Sequence, residues 1–224
     1  MAYLNPEQHK IVSDAVAAAE QSTSGEIVTV LADRSDGYTD VSQLWAIAVG
    51  FTAMSLFALF PLPFMNLWTR ISGGWMHEWT TGELASMTIA LGLIAFALTW
   101  AVQLWEPLKF ALVPGPVKQA RVHDQAVKHF KVGAERRTHG RTGVLIYLSM
   151  REHRAEIVAD EPIAEKVPAE VWGEAMADML AEIRKGCIAE GMAAGVRDVG
   201  QVLSEHFPRN HDDENELPDR LIEV

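Results

Sequence analysis

Four ionisable side chains stand just past two apolar runs that read as buried strands, and their types could hold a cation or a phosphate. Asp33 and Asp36 follow EIVTVLA, residues 26–32, while Arg151 and Glu152 follow TGVLIYLS, residues 142–149. If these runs pair in parallel, the four groups meet at one edge, where an open α/β sheet binds ligands outside the carboxyl ends of its strands. Carboxylates gathered there could ligate a hard cation, Ca2+ or Mg2+, both of which require several oxygen donors. Asp33, Asp36 and Glu152 are the candidate metal or ligand residues of this edge. The stretch DRSDGYTD, residues 33–40, is faintly like an EF-hand loop but lacks the ligand Glu at the twelfth position and the flanking helix pair. Its competing reading is a polar turn with an Asx cap.

Two further groups are candidates. Glu26, Arg141 and Asp160 should meet at the opposite edge of the sheet if residues 154–159 run antiparallel to 142–149, and a carboxylate beside an Arg can simply satisfy itself there. Lys118, Arg121, Lys128 and Lys131 lie on one expected helix and could contact a membrane surface, where each cation near anionic headgroups is worth about 1 kcal/mol. The same charges also serve as a topology signal. Ser24 and Ser149 lack the G-x-S-x-G setting of a nucleophile elbow, and no P-loop or dinucleotide fingerprint occurs, so catalytic residues stay unassigned.

The elements that must position these groups are interrupted. Asn5-Pro6-Glu7-Gln8 predicts a capped helix running to about residue 21, with Ile11, Val12, Ala15 and Ala19 on its inner face. The β-branched strand at 26–32 follows. Residues 41–62 and 84–105 are then apolar on every helical face and long enough to cross a bilayer, with Pro61 and Pro63 near the end of the first. A helix over 116–132 should turn Val117, Ala120, Val127 and Phe130 inward. The strand at 142–149 forms a hairpin with 154–159 through Arg151-Glu152-His153. Two more helices carry Val171 to Ile183, stopped at Gly186, and Ile188 to Leu203. The tail, residues 208–224, is acidic and expected to be loosely held.

One helix and one strand cannot enclose a core, so residues 1–40 and 106–207 should form a single domain split by a membrane hairpin at 41–105. The fold class expected is α/β, a small mixed sheet with helices on both faces. The insertion follows the first strand, so the carboxyl ends of the two parallel strands should face the bilayer.

Net charge is -11 in 224 residues, which excludes a general nucleic-acid-binding surface. The one cysteine, Cys187, cannot form an internal disulfide and suits a reducing compartment. The first ten residues lack the basic start and apolar run of a cleavable signal, so none is expected. Lys and Arg are concentrated in 106–141, whereas the connector between the spans holds Arg70 alone, so both termini and the soluble domain should be cytoplasmic.

TSGEIVTVLA, RTGVLIYLSMREHRAEIVAD, an Ile-x-x-x-Val-Pro segment before Trp172, and HFPRN with NELPD resemble, in that order, the TPM domain family in its membrane branch. The resemblance implies a compact sheet with helices on both faces. It also implies a choice of roles, since members are described as acid phosphatases, calcium binders, helpers in photosystem repair or accessory subunits of membrane receptors. Lumenal members tend to carry Asn or Asp where Arg141-Thr142-Gly143 stand here, a departure that counts against the enzymatic role. The expectation is therefore an accessory protein of a bacterial-type inner membrane, with the lipid bilayer and another membrane protein as partners. The alternative is a Ca2+- or Mg2+-dependent acid phosphatase.

Overall fold

A computed structural model describes residues 3–72, 78–133, 142–209, 217 and 219–224. In chain order the elements are α1 (Pro6–Glu20), β1 (Glu26–Ala32), α2 (Thr39–Leu59), α3 (Pro61–Ser72), α4 (Thr81–Val102), α5 (Glu106–Leu112), α6 (Gly115–Gly133), β2 (Gly143–Ser149), β3 (Arg154–Ala159), α7 (Glu161–Ala164), α8 (Ala169–Arg184), α9 (Ile188–His206) and β4 (Ile222–Glu223). They form two compact units, one of residues 1–36 with 115–224 and the other of residues 37–114.

The first unit is built on a four-stranded sheet of order β3-β2-β1-β4. β1 and β2 pair in parallel along their whole length, from Glu26 opposite Gly143 to Ala32 opposite Ser149, although more than a hundred residues separate them in sequence. β3 returns antiparallel to β2, with Ser149 opposite Arg154. Every residue of β1 and β2 is buried, as strands covered on both faces must be. Alternation divides their side chains. Ile27, Leu31, Val144, Ile146 and Leu148 join the larger core with α1, α8 and α9, while Val28, Val30, Leu145 and Tyr147 meet Val122, Ala126 and Phe130 of α6. The mixed sheet with helices on both faces is thus observed.

α1 starts as expected, with the Asn5 side chain accepting from the Gln8 amide at 2.9 Å and the Gln8 side chain accepting from the Asn5 amide at 3.0 Å. α8 ends at Gly186, whose φ of 89° closes a left-handed cap with its amide donating to the Ile183 carbonyl.

Three expectations are corrected. On α1 the buried positions are Val12, Ala15, Val16 and Glu20, and Ile11 is exposed. On α6 the core takes Val122, Ala126 and Phe130, leaving Ala120 exposed, because the sheet fixes which of two neighbouring apolar stripes turns inward. The end of the tail is not loose. β4 adds to β1 in parallel, Leu217 and Leu221 are buried, and the Asp33 amide donates to the Val224 carbonyl at 2.9 Å.

The second unit is a helical hairpin. α2 and α4, of 21 and 22 residues, have mean hydropathies of 1.6 and 1.9 in their most apolar windows. At 1.5 Å per residue each is about 30 Å long, the thickness of a bilayer's hydrocarbon. Only 22% and 6% of those windows are buried in the chain, whereas the core helix of a soluble protein would be mostly covered. Leu44, Phe51, Leu93 and Leu98 instead lie open on the helix surfaces. The helices start and end two or three residues earlier than the spans expected at 41–62 and 84–105, because the chain breaks at Phe60 and Pro61 opens α3. Near the other end of the hairpin the Gln103 amide donates to the Ser42 carbonyl at 3.1 Å, and the Trp45 indole donates to the Leu112 carbonyl at 3.2 Å.

Candidate functional site

The carboxyl ends of β1 and β2 carry two loops that are laced together. The Met150 amide donates to the Ala32 carbonyl and the Arg151 amide to the Asp33 carbonyl, both at 3.0 Å. The turn into β3 closes at His153, whose φ of 51° is the left-handed conformation that reverses the chain. This backbone places Arg151 over the loop after β1.

Asp33, Asp36, Arg151 and Glu152 are brought to one edge, and each engages the protein. The Arg151 Nε donates to both carboxylate oxygens of Asp33 at 3.1 Å. The Tyr3 hydroxyl donates to the same carboxylate. This Tyr3 contact is the main reason that the Asp33 carboxyl titrates below its ordinary value, with Arg151 adding to it. Asp36 pairs with Arg121 of α6 at 3.2 Å, so one cation expected at a membrane surface is spent on the loop. Both ion pairs are partly exposed and individually worth about 0–1 kcal/mol.

Glu152 is different, being 3% exposed. One carboxylate oxygen accepts from the Ser35 amide at 2.9 Å and the other from the Ser149 hydroxyl at 2.5 Å. The Ser35 hydroxyl donates to Ser149 at 3.0 Å and lies 3.1 Å from the Tyr147 hydroxyl. Since the one proton of Ser35 is committed to Ser149, Tyr147 donates to Ser35, and three hydroxyls run in series onto the buried carboxylate. Burial raises the Tyr147 phenol above its ordinary value and lowers the His129 imidazole, which stacks on it at 5.6 Å, below its own. Both rings are neutral near pH 7. Such a chain braces the two loops against each other.

Sequence reasoning missed Tyr3, Ser35 and Tyr147 in this network and considered Ser149 only as a nucleophile. A signal was present: Tyr147 and Ser149 are polar residues two apart, on one face of an otherwise apolar strand.

At the amino ends of the strands, Asp160 accepts from the Gly143 amide at 2.9 Å, and its own amide donates back to the Gly143 carbonyl. A small cavity of about 230 Å³ beside it is lined by Phe130, Lys131 and residues 158–162. Glu26 accepts from the Leu217 amide at 3.2 Å. The third residue expected here, Arg141, lies outside the described residues. The buried acid that sequence reasoning overlooked is Glu20, which accepts from the Ile27 amide at 2.9 Å with Glu26 and Asp219 nearby. Burial pushes its carboxyl up to about 8. Its signal was the i, i+4 row Val12, Val16, Glu20, an acid continuing an apolar stripe.

Lys118, Lys128 and Lys131 form no ion pair among the described residues; Lys128 and Lys131 are exposed on the side of α6 away from Val122, Ala126 and Phe130, whereas Lys118 is half-buried one turn before Val122 on the edge of the core stripe. Among the described residues, no group of three or more His, Cys, Asp and Glu side chains is arranged to hold a metal ion.

Residues 115–202, which include α6, β2, β3, α8 and most of α9, match the TPM domain. Over this stretch the chain is similar to the TPM domain. No curated protein sequence matches it significantly. Among solved structures, the NMR structure of BA42 protein from the psychrophilic bacterium Bizionia argentinensis is similar with a TM-score of 0.57. The likeness covers 100% of this chain and 97% of BA42 at 18% identity, and so speaks for the fold alone.

Proposed function

We propose that the protein is a membrane-tethered TPM domain that acts as an accessory to another membrane protein, binding it or assisting its assembly. The observation that carries this reading is the state of the strand-end acids. Asp33 is engaged by Tyr3 and Arg151, Asp36 by Arg121, and Glu152 by a buried amide and a buried hydroxyl, so these carboxylates brace the loops as they stand. The length and exposure of α2 and α4 support the tether. Lys128 and Lys131 on the outer face of α6 support contact of the domain with anionic headgroups. The excess of Lys and Arg after the second span supports an inner membrane with the soluble domain and both termini cytoplasmic.

Thermal unfolding and phosphatase assays on the full chain in nanodiscs test the reading against hydrolysis. The melting temperature should not respond to Ca2+ or Mg2+, and turnover of an aromatic phosphate ester should not exceed that of a Glu152→Gln variant. A metal-dependent rise in melting temperature that is lost on changing Asp33 and Asp36 to Asn, together with turnover, would favour the acid phosphatase.

A further inference from the structure

The connector end of the hairpin encloses an open apolar cavity of about 390 Å³, within the size range of small-ligand sites. Phe57 of α2, Phe64, Trp68 and Ile71 of α3, and Leu91 and Ile94 of α4 form its walls. The space arises where α2 stops at Phe60, a residue with φ -131° and ψ 64°. α3 then packs Phe64 back on Phe57, ring centroids 5.5 Å apart.

The walls present almost no polar surface. A polar solute would lose its hydration there without compensation, and water would find too few partners to stay. A hydrocarbon chain would lose nothing. Arg70, between Trp68 and Ile71 in sequence, is exposed and has no ion-pair partner among the described residues. Trp68 is a side chain of the kind that settles at headgroup level. Apolar walls that include an interfacial indole, with an exposed cation on the same short helix, complement a lipid that carries a phosphate.

We propose that this cavity is a phospholipid site, taking one acyl chain between α3 and α4 while Arg70 pairs with the headgroup phosphate. The site rests on the reading that α2 and α4 span a bilayer. Its role is to fill the gap beside α3 and fix that helix at the membrane surface.

The full chain in nanodiscs of phosphatidylcholine and phosphatidylglycerol, doped with a phosphatidylcholine bearing a diazirine at mid-chain, supplies the test. After illumination, crosslinks mapped by mass spectrometry should concentrate on α3 and on residues 87–94. Ala90→Trp, which places an indole in the cavity, should reduce those crosslinks several-fold while leaving crosslinks at residues 44–51 unchanged. Arg70→Gln, an exposed change that leaves the packing intact, should reduce them in part. Crosslinks spread evenly over all exposed faces of α2 and α4, or unaffected by both variants, would overturn the site and leave the spans standing. Absence of crosslinks from both helices, with the protein washed off the membrane at alkaline pH, would overturn the spanning reading and the site with it.

Discussion

Replacing Glu20 with Gln should abolish a loss of stability that the protein otherwise suffers as pH rises. Glu20 is 8% exposed, and burial lifts its carboxyl from 4.5 to about 8. The folded state therefore holds a proton that the unfolded chain releases. Stability from this group is fully present below about pH 4.5, falls as pH rises through the window to about pH 8, and is flat above it. At about 1.4 kcal/mol per pKa unit, the full window corresponds to on the order of 5 kcal/mol. That is a large part of the 5–15 kcal/mol typical of a domain, and about 10 °C in melting temperature. His129 acts in the opposite sense, because its lowered folded value makes stability fall as pH drops below about 6.5. The comparison of wild type with Glu20→Gln isolates Glu20. Gln keeps an acceptor for the Ile27 amide and carries no ionisable proton. Near-UV circular dichroism melts of the full chain across this pH range should show the two proteins converging near the acid end and the variant more stable near pH 8. Parallel curves, with the variant keeping the wild-type slope above about pH 6.5, would refute the reasoning.

Other perturbations probe the packing and the brace. Ser149→Ala removes the donor that satisfies one oxygen of the buried Glu152 carboxylate and should cost about 2 kcal/mol in urea unfolding, whereas a neutral effect would mean the network is dispensable. Gly191→Ala would set a Cβ 2.8 Å from the Met179 carbonyl oxygen and 2.7 Å from Ile183 Cγ1, prying α9 off α8 at a cost of about 1–3 kcal/mol, measurable as a lower melting temperature. Leu221→Ala should cost about 2–5 kcal/mol and expose the tail to protease; resistance equal to wild type would contradict the seating of β4 on β1.

Elements governed by local physics were legible in the sequence. The Asn5-Gln8 capping box, the wholly apolar β1 and β2, and the turn at residues 151–153 each announce themselves within a few residues. The parallel pairing of β1 with β2 was also legible, because neither flank of the hairpin could enclose a core alone. β4 was not. Two residues make it a strand, and they follow an acidic run whose composition argues for a solvated tail. Its seat is supplied by the free edge of β1 and by the Glu223 carboxylate, which accepts from the Tyr3 and Leu4 amides some 220 residues away. The rotation of α6 was equally beyond reach, since Val117 and Ala120 compete with Val122 and Ala126 for the sheet. At the candidate site the sequence showed which acids gather, but not that Tyr3, Ser35 and Ser149 would engage them.

The central claim is a TPM domain on the cytoplasmic side of a membrane whose chain passes out and back between β1 and α6. Labelling of single cysteines in a Cys187→Ser background with a membrane-impermeant thiol reagent tests it directly. Gly82→Cys, at the exposed start of α4, should label in intact cells, and Lys128→Cys, on the outer face of α6, only after the membrane is opened. Labelling of Lys128→Cys in intact cells, or of neither site until the membrane is opened, would contradict the account.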